Sequence, residues 1–320
     1  MNKFTKIGLS ALAGSLVAFS AQAGSLSASG SASLTFANGD DKSLTHEGNQ
    51  WTMGDSITMT GSGEMDNGMT ISVSFEIDND DVGGGNVYDS HSMTLDTNGF
   101  GTITFAGHGG SSAMSALDDV TPNAFQESWD VVTGAETGTL VGGSSGDNMF
   151  TYKSPDLGGA TVTVAYLNAS DAVTDKSYMD FSIVAKPEMV EGLEIGYGFG
   201  ETEETHGTAI DDSALYVKYT YGSVTVGYQM NESDGPSSSD DIDFTAAGIT
   251  YAVTDDFTIG YSTSESDKAS DSDVQEATAI GASYTSGGIT VAGSMNSVDN
   301  VGYDASADRD GYEFNISFAF

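Results

Sequence analysis

The chain has 320 residues, with 9 Lys and Arg against 47 Asp and Glu, a formal net charge of −38, 41 glycines and no cysteine. That balance excludes a nucleic-acid binder, which needs a cationic footprint, and the missing cysteines exclude disulfides, thiolate metal sites and cysteine nucleophiles. Aromatic residues make up 10% and are spread along the chain, so an acidic disordered polymer is excluded; the length suits one large all-β domain.

Lys3 and Lys6 precede an apolar run from Ile7 to Phe19, closed by Ala21-Gln22-Ala23. A charged start, a short apolar stretch and small residues at an A-x-A site predict a secretory signal peptide over residues 1–23, cleaved after Ala23. The run is too short to span a membrane as a helix and is interrupted by Ser10, Gly14 and Ser15. Residues 24–320 would form the mature chain, with seven basic residues left against 47 acidic ones. No later segment is apolar enough for a spanning helix, so the chain is either released or crosses a membrane as a β-barrel.

From Gly24 onward the period is two. In the segment Met69 to Asp78, Met69, Ile71, Val73, Phe75 and Ile77 alternate with Thr70, Ser72, Ser74, Glu76 and Asp78, the mark of a two-faced strand. Such segments predict strands near 25–37, 55–65, 68–78, 90–97 and 99–106, then 147–153, 159–168, 178–187, 191–200 and 213–221. Further strands fall near 222–230, 242–253, 256–264, 275–285, 287–297 and 310–320, about sixteen in all. In 242–253 the alternation slips around Ala246-Ala247-Gly248, which suggests a bulge.

Connections alternate between short and long. Asn67-Gly68, Asn98-Gly99 and Gly287-Gly288 supply the positive φ of tight turns, whereas the stretches near 38–54, 79–89, 107–146, 169–177, 201–212, 231–241, 265–274 and 298–309 are long and polar. A soluble β-sandwich also alternates, but short turns on one side, long loops on the other, strands of about ten residues and aromatics near strand ends are the features of an outer-membrane barrel. By strand parity Glu76, Lys153, Lys186, Glu194 and Lys218 fall on the polar face, which would line the lumen as pore wall.

These features resemble the general Gram-negative porins, in particular the sixteen-stranded type of α-proteobacteria. The resemblance is carried by the signal peptide, the opening strand Ser25-Leu26-Ser27-Ala28-Ser29-Gly30, the strand number and the terminal Tyr312-Glu313-Phe314-Asn315-Ile316-Ser317-Phe318-Ala319-Phe320. It implies a homotrimer in outer-membrane lipid, with Phe320 similar to the signal read by the barrel assembly machinery. It also implies that the longest connection, 107–146, folds into the barrel as a constriction loop whose Asp118, Asp119, Glu127, Asp130 and Glu136 line the eyelet; without the resemblance it reads as an exposed acidic loop. The chain departs from the family in lacking an arginine cluster to face that loop, since the mature part holds only Arg309 and scattered lysines. What remains is a mostly negative pore, which concentrates cations.

Other chemistry is thin. The acidic runs that include Asp78, Asp80 and Asp81, and Asp267 to Asp273, are loose candidates for a weakly bound Ca²⁺ without the spacing of an EF-hand. His46, His91, His108 and His206 lack zinc spacing, no Gly-x-Ser-x-Gly elbow is present, and Trp51 and Trp129 fall in long loops, where Trp129 could pack the third loop against the wall. The sequence therefore predicts a non-enzymatic, passive diffusion channel of the bacterial outer membrane for small hydrophilic solutes and cations. Its alternatives are a non-conducting barrel serving as adhesin or envelope anchor, and a secreted Ca²⁺-binding β-protein.

Overall fold

The computed structural model describes residues 25–39, 50–78, 88–136, 147–168, 177–203 and 209–320. The signal peptide, Asp80, Asp81, His46 and His206 lie outside them. Sixteen antiparallel strands close into one barrel, each paired with its neighbours in sequence and β1 paired with β16. They are β1 (Leu26–Gly39), β2 (Trp51–Glu64), β3 (Thr70–Asp78), β4 (Ser90–Asp96), β5 (Thr102–His108), β6 (Met149–Lys153), β7 (Ala160–Leu167) and β8 (Ser177–Ala185). The remainder are β9 (Leu193–Glu203), β10 (Ala209–Tyr221), β11 (Val224–Asp234), β12 (Ile242–Ala252), β13 (Phe257–Lys268), β14 (Gln275–Ser286), β15 (Ile289–Asp299) and β16 (Arg309–Ala319).

Alternation explains the faces. Apolar side chains such as Ile259, Tyr261, Ile280 and Phe318 stand exposed on the outside, while Ser, Thr, Gly and amides face inward, the inverse of a water-soluble sandwich. Closure removes the unpaired edges that lipid cannot satisfy. Gly287 and Gly288, at φ 60° and 82°, make a two-residue hairpin that a side chain would strain. At the seam, the Phe320 N–H donates to the Gly30 carbonyl (2.9 Å) and the Gly30 N–H to the Phe320 carbonyl (2.8 Å). A Cβ on Gly30 would lie 2.8 Å from the Phe320 ring, so only glycine lets the terminal residue settle there.

All the predicted strands are present, and the differences lie at their loop ends. Strand β2 begins at Trp51 and β10 at Ala209, while β11 and β13 run on to Asp234 and Lys268. Above the apolar band the outward positions turn acidic: Asp211 sits opposite Glu201 and Asp234, Asp243 opposite Glu232 and Asp267, and Glu276 opposite Glu265 and Asp299. Polarity on both faces erases the hydrophobic alternation there although the hydrogen-bonded ladder continues, so these residues read as loop. The start of β2 differs, since Trp51 and Met53 keep the apolar alternation on its outer face; Trp51 is a strand residue and not a loop residue, its ring 4.9 Å from that of Phe36.

The expected bulge in 242–253 is absent, because β12 keeps unbroken register with β11 and β13. The apparent slip comes from Phe244 and Ala246, which are apolar but face inward and are buried at 2% exposure each. The register shift occurs between β4 and β5, where His91 pairs with His108 and Ser92 with Ala106, leaving Gly107 as the extra residue.

Candidate functional site

The connection between β5 and β6, the third loop, turns into the barrel and lies along the inner wall. Its base is tied by His108 Nδ1 to Asp147 Oδ1 at 2.7 Å. A short 3₁₀ turn, Met114–Ala116, then docks on β8. There buried Asp180 accepts the N–H groups of Ala113 (3.1 Å), Met114 (2.7 Å) and Ala165 (3.1 Å) and the Tyr178 hydroxyl (2.8 Å). Met114 and Leu117 are fully buried against Ala214 and Tyr216, each contributing about 2 kcal/mol.

Beyond this anchor the loop follows a track of inward-facing glycines. A Cβ on Gly198 would be 2.4 Å from Leu117, on Gly227 2.4 Å from Pro122, on Gly248 2.1 Å from the Pro122 carbonyl and on Gly260 2.8 Å from the Ala124 nitrogen. Long amides fix the backbone from below. Gln229 donates to the Leu117 carbonyl (3.2 Å) and accepts from the Val120 N–H (3.3 Å), and Asn296 donates to the Glu127 carbonyl. Gln126 reaches Glu313 on β16 at 2.9 Å. The chain then returns on an upper tier, with Ser128 bonded to Ser264 at 2.8 Å and Trp129 edge-on to Phe244 at 5.0 Å between centroids. The return ends at Arg309, which donates to the Thr133 carbonyl (2.7 Å), and at Gln275, which clasps both backbone polar groups of Glu136 (2.8 and 3.0 Å).

Four of the acidic residues anticipated for the eyelet converge: Asp118, Asp119, Glu127 and Asp130 interact with one another. Glu136 does not join them, because Gln275 and the 3₁₀ turn Val301–Tyr303 hold that part of the loop at the wall. The four are not equally charged. Burial of Glu127, a hydrogen bond with Asp119 and the charges of Asp119, Asp130 and Asp118 push its carboxyl far above the usual range, so it stays protonated near neutrality. Burial, and then the neighbouring Asp119, raise Asp118 to about 7. Asp119 and Asp130 are exposed, but Asp130 accepts the Glu127 N–H at 2.7 Å and partial burial of its carboxyl raises it above the usual range.

The residues anticipated as pore wall divide into two groups. Lys186 and Lys218 are brought together by Glu194, at 3.0 and 3.2 Å, and the Tyr216 hydroxyl donates to the same carboxylate at 2.8 Å. The lysines expected to be scattered are thus partly gathered, two of them sharing one carboxylate and keeping one net positive charge, which the spacing in sequence concealed. Glu76 accepts from Ser90 at 3.1 Å, and Lys153 stands apart on β6 between Thr102 and Thr163 of the adjoining strands. Asp78 faces the lumen by register with Ser56, and among the described residues no group of three or more His, Asp or Glu is arranged to hold a metal ion. Asp180, Gln229, Gln275, Asn296 and Glu313 were not anticipated; the available signal is a long polar side chain at an inward position otherwise held by Ser, Thr or Gly.

Comparison with known proteins agrees with this architecture. The family model for Gram-negative porins matches residues 8–277. Among solved structures, the chain is similar to OmpT, an outer-membrane protein of Vibrio cholerae, at 15% identity and a TM-score of 0.68 over 94% of this chain and 99% of that one. It is similar to an anion-selective porin from Comamonas acidovorans at 14% identity and a TM-score of 0.67, covering 92% and 99%. A mutant of the Rh. blastica porin gives 16% identity and a TM-score of 0.65 over 92% and 99%. No curated protein sequence matches.

Proposed function

The chain belongs to the Gram-negative porin family, a family of outer-membrane channels and not of enzymes, and on that premise we propose that residues 24–320, freed of the signal peptide, form a passive water-filled pore that prefers cations. We place it with the sixteen-stranded α-proteobacterial type. The fold does not set the sign of selectivity, since the Comamonas protein on the same fold is described as anion-selective; fixed side-chain charge sets it.

The observation that supports the reading is the third loop, which lies along the inner wall and brings Asp118, Asp119 and Asp130 together, whereas Lys186 and Lys218 share the Glu194 carboxylate and leave a single net positive charge between them. A loop laid along one wall also favours an open lumen over a plugged barrel: the inner residues of β1 to β4 remain partly exposed to solvent. Small hydrophilic solutes and cations are its cargo. The reversal potential of purified protein in a planar bilayer under a KCl gradient tests this. The expected sign is that of K⁺ over Cl⁻, reduced in D119N/D130N; an anion preference overturns the charge argument, and absence of conductance from folded, inserted protein overturns the channel.

Assembly follows the same proposal. The acidic rim on β9 to β15 would repel a second copy, which leaves the outer face of β16 to β6 for a homotrimer. That face carries the small residues Ala28, Gly30 and Ala32, and it presents Asp55 outward beside Ala32, a carboxylate that is costly against lipid but covered in a subunit interface. Phe320 serves as the residue offered to the barrel assembly machinery.

A further inference from the structure

The inner face of β4 to β7 holds a recess of about 280 Å³ that the ion path described above does not require. Its floor is made of Ser92, Thr102, Thr104, Thr151 and Thr163, and its rim is the start of the third loop, Gly109 to Ser111. Gly109, at φ 63°, lets that rim close on the wall, since a Cβ there would lie 2.8 Å from Ser90 Cβ. Of these hydroxyls, Thr104 bonds to Thr94 at 2.9 Å and Thr151 donates to the Ser111 carbonyl at 3.5 Å, and a hydroxyl with one partner keeps capacity for another.

Lys153 stands in this floor with Thr102 and Thr163 directly opposite on its two sides. It is exposed on the inner face, and among the described residues its ammonium has neither an ion pair nor a hydrogen bond, unlike those of Lys186 and Lys218. The carboxylates around the recess are engaged at its rim or lie off to one side: Asp147 accepts from His108 and the Gly109 N–H, Glu76 accepts from Ser90, and Asp96 lies opposite Thr102. A recess with several hydroxyls and one free ammonium matches a small ligand with several hydroxyls and one negative charge, and its volume lies near the lower end for small-molecule sites.

We propose that this recess is a saturable subsite for small polyhydroxylated monoanions, the class of the sugar acids, with Lys153 holding the carboxylate and the threonine hydroxyls holding the polyol. The subsite deepens the channel reading, because the ligand reaches it through the lumen. In a pore that otherwise repels anions, it is the place where a monoanion is retained.

The test uses D-gluconate and D-glucose as probes on the folded barrel, with single-channel recording and calorimetric titration in detergent. Gluconate is expected to produce a saturable interruption of current and a saturable heat, both about tenfold weaker in K153M and in the same range for glucose with the native chain. K186M removes an equal lumen charge and is expected to leave gluconate binding within about twofold. Equal weakening in K153M and K186M would assign the effect to overall potential and overturn the subsite. No gluconate heat with folded protein overturns it as well, whereas heat that depends on Lys153 in a protein that conducts nothing keeps the subsite and rejects the channel.

Discussion

The two halves of the barrel use one alternation to different ends. On β7 to β15 many inward positions are buried, among them Ala165, Asp180, Gln229, Ala246, Ser264 and Asn296, where the third loop covers the wall. On β1 to β4 the same positions hold Ser31, which is exposed, and Ser33, Thr58, Ser72, Ser74 and Thr94, which are partly exposed. One half is a bed for a loop and the other a wetted wall. The loop is therefore a fixed lining held by many short-range contacts, and the other half of the wall is left as a surface of hydroxyls.

The largest effect expected from breaking this division is at Asp180. D180A strips the acceptor from the buried N–H groups of Ala113 and Met114 and should weaken loop docking by ~2 to 4 kcal/mol. Cleavage after Glu127 by a glutamate-specific protease, with the barrel itself intact, reads the release; a loop as resistant as the native one would show that the anchor lies elsewhere. G248V comes next, since its Cβ would press on the Pro122 carbonyl at 2.1 Å, and overpacking of this kind costs about 1 to 3 kcal/mol. The matched change on the bare half, G54V, meets only the Ser33 hydroxyl at 3.0 Å. It should leave the unfolding midpoint unchanged, and the single-channel current of G248V alone should become noisy or larger.

Much of this was legible in the sequence. The strand Tyr312 to Phe320 declares its two faces, and the asymmetry of the connections orients the barrel. The wall chosen by the loop was not legible, because inward glycine and inward serine are both merely non-apolar in a period of two. The glycine track becomes visible only with register, when Gly227 falls opposite Gly248 and Gly260 opposite Gly281. Phe244 shows the same limit from the other side: an inward apolar residue looks like a phase error until Trp129 covers it. The acidity of the loop was plain, but that Glu127 keeps its proton depends on burial and on neighbours that the fold brings together, Asp118 and Asp119 from eight or nine residues upstream and Asp130 from three downstream.

That proton economy sharpens the comparison by pH. Asp118 is raised from 3.8 to about 7, so the docked loop binds a proton over that window and its docking weakens as pH rises through it. Charge moves the opposite way. Cation preference should be greatest above pH 7 and decline as Asp118 is neutralised on acidification. For a unit charge about 10 Å from the ion path in a mostly aqueous lumen, the change is ~0.4 kcal/mol, about twofold in permeability ratio. Reversal potentials from pH 8 to pH 6 should show a step that D118N removes; a step that persists in D118N would reassign the titration to another group.

The smallest effect separates the halves on their outer side. Glu276 faces Glu265 on one neighbouring strand and Asp299 on the other, whereas the corresponding outward ends of β1 and β2 carry Asn38 and the Phe36–Trp51 pair. Like charges directly opposite across a ladder are destabilising by a few tenths of a kcal/mol to about 1 kcal/mol, so E276Q should stabilise the barrel by about 0.5 kcal/mol. The pairs stand in water above the apolar band, and added salt shortens the reach of their repulsion to about 8 Å at physiological ionic strength. The gain should therefore be clear in a low-salt urea titration and shrink in high salt. A gain independent of salt would mean that side-chain packing, and not charge, governs this rim.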